Sequence, residues 1–158
     1  MPNYTIIGLG RIGTSIGMAI RSHQGGKSRV IGYDADNKTQ TVAQQMGAVD
    51  AVEWNLDKAV ADADLVIVAT PAGALFDVFD AIGPHLKQDA VVTDTSPAKR
   101  AVLKWAVVAP PSAPQHAIRA VTDLIECVGA SPVFMDPHEH DSFSAATTGL
   151  PSVSRTRS

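Results

Sequence analysis

The chain has 158 residues, 45% of them apolar and 18% charged, with a formal net charge of −3. That is one domain's worth of chain, with material for a real core but short for a two-domain enzyme. The slightly acidic balance excludes an electrostatic case for nucleic acid or for an anionic membrane surface. A single cysteine, Cys127, excludes an intrachain disulfide and is read as a helical core residue rather than a nucleophile. The start carries no basic leader, and no apolar run is long enough to span a bilayer, so the expected setting is reducing and cytoplasmic.

The first element, Tyr4 to Ile7, is a short β-rich apolar run that leads straight into Gly8-Leu9-Gly10-Arg11-Ile12-Gly13. Ile12, Ile16, Ala19 and Ile20 then recur at helical spacing until Gly25-Gly26 stops the helix. The next strand, Arg29 to Tyr33, ends on Asp34. Strand, glycine turn, helix, strand and acid in this order form a dinucleotide-binding fingerprint. Gly8 allows the tight turn, Gly10 lets the backbone approach a diphosphate, and Gly13 lets the helix pack close to the strand. Asp34 is placed to accept hydrogen bonds from ribose hydroxyls and to repel a 2′-phosphate, which favours NAD over NADP. Arg11 and Lys38 could still neutralise such a phosphate. An S-adenosylmethionine enzyme also shows a glycine turn with an acid, so the ligand class stays open on these residues alone.

Further on, Asp36 caps a helix through Gln45, with Val42 and Met46 expected on its buried face and Gly47 at its end. Ala51 to Trp54 reads as a short strand and Leu56 to Ala61 as a helical turn. Leu65 to Ala69 is continuously apolar, as in a strand covered on both faces. Leu75, Phe76, Val78, Phe79 and Ile82 trace a helical stripe closed by Gly83-Pro84, and Ala90 to Thr93 is a strand. Ser96-Pro97 looks like N-cap and N1 of a helix running to about Trp105, followed with almost no connection by a strand, Val107 to Pro110. Connections of that kind usually need roughly 2–6 residues, so either the helix ends early or a segment is missing near residues 106–107. Ser112 and Pro114 open a helix with Ile118, Val121, Leu124, Ile125 and Val128, stopped by Gly129. Pro132 to Met135 is a late strand, Asp136-Pro137 starts a last helix, and the end is polar.

Alternating strands and helices predict an α/β fold, a doubly wound, mainly parallel sheet of the Rossmann NAD(P)-binding type. Residues 1–148 form the dinucleotide-binding domain and 149–158 a polar tail. Ligands of such sheets bind beyond the carboxyl ends of the strands. The turn Gly8 to Gly13 (with Leu9, Gly10, Arg11 and Ile12), Asp34, the loop Ala69-Thr70-Pro71, and Thr95 are therefore the candidate cofactor-binding residues. Ser96 is the candidate catalytic residue. His138-Glu139-His140-Asp141, with Asp136 nearby, reads as a polar helix start rather than a metal site, because histidines two apart face different sides of a helix.

Four blocks give the chain a family likeness: the glycine turn with Gly32-Tyr33-Asp34; Asp64-Leu65-Val66-Ile67-Val68-Ala69-Thr70-Pro71; Val92-Thr93-Asp94-Thr95-Ser96-Pro97-Ala98-Lys99; and Val128-Gly129-Ala130 with His140-Asp141 and Gly149-Leu150-Pro151. In these it resembles the N-terminal half of the prephenate dehydrogenase family, which includes the arogenate dehydrogenases. The resemblance implies NAD-dependent oxidative decarboxylation of prephenate or arogenate in tyrosine, hence aromatic amino acid, biosynthesis. This chain departs from the family in several places. The family's Gly-Gly-His-Pro-type motif, whose histidine is thought to act as base, has no match, and its role passes to none of His23, His85 and His116. The family's loop serine falls at Pro97, with Ser96 as its neighbour, and Gly149 stands where many members have histidine. The helical domain that dimerises and clamps substrate is also expected to be absent. The resulting expectation is an oxidoreductase domain that keeps its cofactor fold but is weak or inactive alone, meeting a small-molecule substrate only if another domain completes it. A homo-oligomer is left open. The alternatives are a degenerate nucleotide-binding regulatory module and a domain of a related 3-hydroxyacid-type dehydrogenase.

Overall fold

The computed structural model describes residues 1–95, 104–107, 109 and 112–135. The chain divides into two compact units, Met1–Ser96 and Pro97–Ser158.

In the first unit, strands β1 (Asn3–Ile7), β2 (Arg29–Tyr33), β3 (Ala51–Val52), β4 (Leu65–Val68) and β5 (Val91–Asp94) form one parallel sheet in the order β3-β2-β1-β4-β5. The chain leaves β1 towards one edge and returns through β4 on the other side, so the strand order reverses between β1 and β4. Beyond the carboxyl ends at that reversal lies the crevice where such sheets hold ligands. All four β4 residues are buried, as their continuous apolar run requires of a central parallel strand.

Helix α1 (Arg11–Gln24) covers one face: a Cβ on Gly13 or Gly17 would touch the Ile6 side chain. Thr5 and Ile7 point to the other face, where Thr5 Oγ1 donates to the Ala59 carbonyl of α3 (Leu56–Ala61) at 2.6 Å. There Ile7, Val60, Val66, Val68 and Ile82 form a core cluster under α3 and α4 (Leu75–Ile82). Residues five and seven pair with one layer and residue six with the other because side chains alternate along a strand. The caps follow the sequence. Gly25 ends α1 at φ 55°, and Asp36 caps α2 (Asn37–Gln45) by accepting the Thr39 N–H at 3.0 Å.

Three burial expectations fail for one reason, the phase of a helix against the sheet. On α1 the buried stripe is Gly13, Ile16, Gly17 and Ile20, so Ile12 points outward and is 55% exposed. On α2 the buried residues are Gln40 and Ala43; Val42 and Met46 lie on the other side, 51% and 56% exposed. On α4 the face is Leu75, Val78, Phe79 and Ile82, which leaves Phe76 78% exposed. Strand β3 is shorter than expected and leaves Trp54 outside it, at the surface.

In the second unit, β6 (Lys104–Val107) pairs in parallel with β7 (Ser131–Phe134), and α5 (Gln115–Cys127) connects them. Parallel neighbours need such a crossover. The helix expected to reach Trp105 therefore does not: Lys104 and Trp105 are strand, and the expected helix-to-strand joint at Ala106–Val107 falls inside β6. The strand expected from Val107 to Pro110 starts three residues earlier and ends at Val107. A β-branched and aromatic run that reads either way as an isolated segment becomes strand once β7 pairs with it. Leu124 and Ile125 of α5 are buried, and Gly129 turns the chain at φ 77°. Ser96, the helix start at Asp136-Pro137, His138, His140, Asp141, Gly149 and the polar tail lie outside the described residues.

Candidate functional site

The glycine turn joins β1 to α1 at the reversal point. Gly8 sits at φ +91°, a region that side chains disfavour, and its N–H donates to the Tyr33 carbonyl at 2.8 Å. A Cβ on Gly8 would lie 2.7 Å from the Ala69 carbonyl oxygen, so the turn lies directly on the loop after β4. Thr14 Oγ1 donates back to the Leu9 carbonyl at 2.8 Å, and the Thr14 N–H to the Gly10 carbonyl at 3.0 Å. These bonds hold the turn and the first turn of α1 as one piece.

Gly13 and Gly10 have different jobs. A Cβ on Gly13 would be 1.9 Å from the Gly8 carbonyl oxygen; only hydrogen fits. A Cβ on Gly10 would meet nothing within 4 Å. Gly10 is the N-cap of α1, no side chain caps the helix, and its first turn contains no acid. The opening N–H groups of a helix lack intrahelical partners and carry its positive dipole end. Bare backbone, open space and an uncapped helix mouth together form a seat for an anionic group such as a phosphate.

Asp34 stands beside this mouth, one residue past the β2 ladder. Its Oδ2 accepts the Leu9 N–H at 2.7 Å and its Oδ1 the Asp36 N–H at 2.9 Å. A carboxylate offers about four acceptor positions, so two remain for a ligand's hydroxyls. The structure thus brings Asp34 onto the glycine turn, a contact that sequence spacing alone does not reveal. Arg11 and Ile12 are exposed at the start of α1 and Lys38 at the start of α2.

On the other side of the crevice, Ala69 donates its N–H to the Ile7 carbonyl at 2.7 Å, and Pro71 leads into a 3-10 turn, Ala72–Ala74. Thr70 Oγ1 is buried and, among the described residues, has no hydrogen-bond partner. An orphaned hydroxyl at a strand's carboxyl end fits a site completed by a ligand. Thr95 follows β5, with its N–H on the Val68 carbonyl at 3.0 Å, so it borders the same end of the sheet.

Sequence reasoning missed Gln40. This residue is 1% exposed, and its Nε2 donates to the Asp34 carbonyl at 2.6 Å. The one available signal was its position a turn beyond the Asp36 cap, on the side facing the end of β2. Elsewhere, burial pushes the Cys127 thiol above its usual pKa, which disfavours the thiolate a nucleophile needs. Among the described residues no helix is long and apolar enough to cross a membrane.

A parallel sheet with a bare glycine turn and a carboxylate at its strand reversal defines a Rossmann-type nucleotide-binding domain. Residues 16–134 match the family model "Prephenate dehydrogenase, nucleotide-binding domain", and the chain belongs to that family. The matched range opens just after the glycine turn, so the turn itself rests on its geometry. A cyclohexadienyl dehydrogenase of Zymomonas mobilis is 28% identical over 185 residues, covering 94% of this chain and 63% of that protein. The fold is shared with a prephenate dehydrogenase from A. aeolicus, solved with hydroxyphenyl propionate and NAD+ (TM-score 0.81, 19% identity, 96% of this chain and 65% of that one). It is shared as well with Synechocystis arogenate dehydrogenase (TM-score 0.80, 19% identity, 94% of this chain and 65% of that one). The chain spans just under two thirds of the length of each of these relatives.

Proposed function

We propose that this chain binds NAD as the cofactor domain of a prephenate- or arogenate-type dehydrogenase. The carrying observation is the Asp34 carboxylate held at 2.7 Å from the Leu9 N–H, beside the uncapped start of α1. Gly8 to Gly13 seat the diphosphate, and Gly10 leaves room for it. Asp34 takes the adenosine ribose and disfavours a 2′-phosphate, so NAD binds better than NADP. Ala69, Thr70 and Pro71 border the adenosine half, with Thr70 supplying its hydroxyl, and Thr95 borders the nicotinamide half. Ser96, which follows Thr95 in sequence, is the catalytic candidate. Bound NAD would supply the hydride acceptor.

Oxidative decarboxylation also needs a base within hydrogen-bond reach of the substrate hydroxyl and a second wall that excludes water. The residues assigned here form one wall and supply no such base. The chain by itself therefore binds cofactor with little turnover, and a helical substrate domain would complete it. One observation favours a second reading, a nucleotide-sensing module. The Zymomonas alignment runs over 185 positions, more than the 158 residues of this chain, so that relative carries residues in the matched span with no counterpart here.

Calorimetry with NAD and NADP, then an absorbance assay for reduced cofactor with prephenate or arogenate, tests both. Saturable NAD binding, with turnover restored by a separately supplied helical domain, supports the dehydrogenase. Binding with no turnover in either state supports the module. Absence of any binding removes both.

A further inference from the structure

We propose that Gln40 is a positioning residue for dinucleotide selection, acting through Asp34. The proposal rests on the reading that Asp34 meets the ribose. The β2 ladder ends at Tyr33, paired with Ile7, so the Asp34 carbonyl has no strand partner. Gln40 fills that gap: its Nε2 donates to the Asp34 carbonyl at 2.6 Å from a side chain only 1% exposed. The same residue's carboxylate is held from two further sides, by the N–H groups of Leu9 and Asp36. Asp36 is in turn fixed as the α2 cap by the Thr39 N–H and hydroxyl. Asp34 is thus gripped at its main chain by α2 and at its side chain by the glycine turn.

The glutamine satisfies the Asp34 carbonyl at a cost of its own: its Oε1 is buried and, among the described residues, lacks a hydrogen-bond partner. The orientation is not interchangeable, because a reversed amide would set oxygen against the Asp34 carbonyl oxygen. What the glutamine does supply is a fixed main chain directly behind the carboxylate. A carboxylate that is free to swing loses its directional contacts with a ribose and its fixed repulsion of a 2′-phosphate.

The test compares NAD and NADP dissociation constants by calorimetry on the full chain, in Gln40→Met, Asp34→Ser and the double variant. Gln40→Met keeps similar volume without the donor. It is expected to lower the preference for NAD over NADP about two- to tenfold, the worth of one hydrogen bond. In the Asp34→Ser background the same change should do nothing further, since coupled residues are not additive. A lowered thermal midpoint with an unchanged NAD:NADP ratio makes Gln40 merely structural and overturns the proposal, as does an equal effect in both backgrounds. An unsubstituted chain that binds neither cofactor fails earlier, and removes the functional reading together with the proposal. Should Gln40→Met not fold, the unsubstituted chain still decides. NAD is expected to shift and slow the exchange of the Gln40 side-chain amide protons, while nicotinamide mononucleotide leaves them unchanged. Amide signals indifferent to NAD overturn the proposal.

Discussion

Two glycines three residues apart should respond to the same substitution in opposite ways. In Gly13→Ala the new methyl would sit 1.9 Å from the Gly8 carbonyl oxygen, where ordinary contact begins near 3.4 Å. The two nearest atoms, the Gly8 carbonyl oxygen and carbon, are backbone, so no side chain can swing aside to relieve the clash, and α1 must lift from β1. Overpacking of this kind costs about 1–3 kcal/mol and occasionally more. A 1.9 Å approach to backbone belongs at the upper end of that range. After alanine's helical advantage returns about 1 kcal/mol, the net loss is about 2 kcal/mol and the thermal midpoint falls by roughly 4–8 °C. In Gly10→Ala the methyl meets no protein atom within 4 Å, and the backbone, at φ −68° and ψ −164°, suits alanine. Reduced freedom of the unfolded chain offsets the weaker N-cap, so the fold should stay within about 0.5 kcal/mol of the original. The diphosphate, however, would meet that methyl, and NAD affinity should fall roughly 5- to 150-fold. Differential scanning fluorimetry and calorimetry on the pair read both effects. Unchanged NAD affinity in Gly10→Ala would refute the assignment of the turn to phosphate, and an unchanged midpoint in Gly13→Ala would refute the close helix–strand approach.

Asp34→Ser should narrow the difference between NAD and NADP affinities; calorimetry showing both unchanged removes Asp34 from the ribose site. Thr70→Val removes a buried hydroxyl with no partner among the described residues, so the midpoint should hold or rise, while NAD binding weakens about two- to tenfold if that hydroxyl meets the cofactor. A stable variant with full affinity leaves Thr70 outside the site. Acid stability should depend in part on Asp64, at the opposite end of the sheet. The Lys87 ammonium and then the Asn3 N–H hold its carboxyl below the usual value. A lowered folded-state pKa adds stability that is present above the unfolded value, about 3.9, and is lost as pH falls through the folded value. Because the side chain is 43% exposed, that contribution is small and should shrink further in high salt. Midpoints measured from pH 7 down to 3 should fall less steeply in Asp64→Asn; parallel curves would refute the pairing.

Local chemistry made much of this protein legible in its sequence. Gly8, Gly25, Gly47 and Gly129 all adopt the positive φ that their turns demanded, and the Asp36 cap accepts the Thr39 N–H. The Leu65–Val68 run is a fully buried central strand, and the strand–helix alternation gave the parallel sheet. Such features depend on a few adjacent residues and on short-range sterics, so they can be read without the rest of the chain. Helix phase could not be read in this way. Glycines carry no apolar signal, so the Gly13–Ile16–Gly17–Ile20 stripe was hidden behind Ile12 and Ala19. Gln40 does not stand out in the sequence for a similar reason, since its value lies in a carbonyl six residues away.

The sequence by itself determined the order of elements, their caps and the presence of a glycine turn followed by an acid. Tertiary structure alone decided that Asp34 closes on the Leu9 N–H, that Thr70 Oγ1 is left without a partner among the described residues, and that Lys104 and Trp105 are strand rather than helix. Each of those outcomes turns on atoms far apart in the chain. A hydrogen bond or a strand pairing exists only when both partners have arrived, and no window of neighbouring residues contains both.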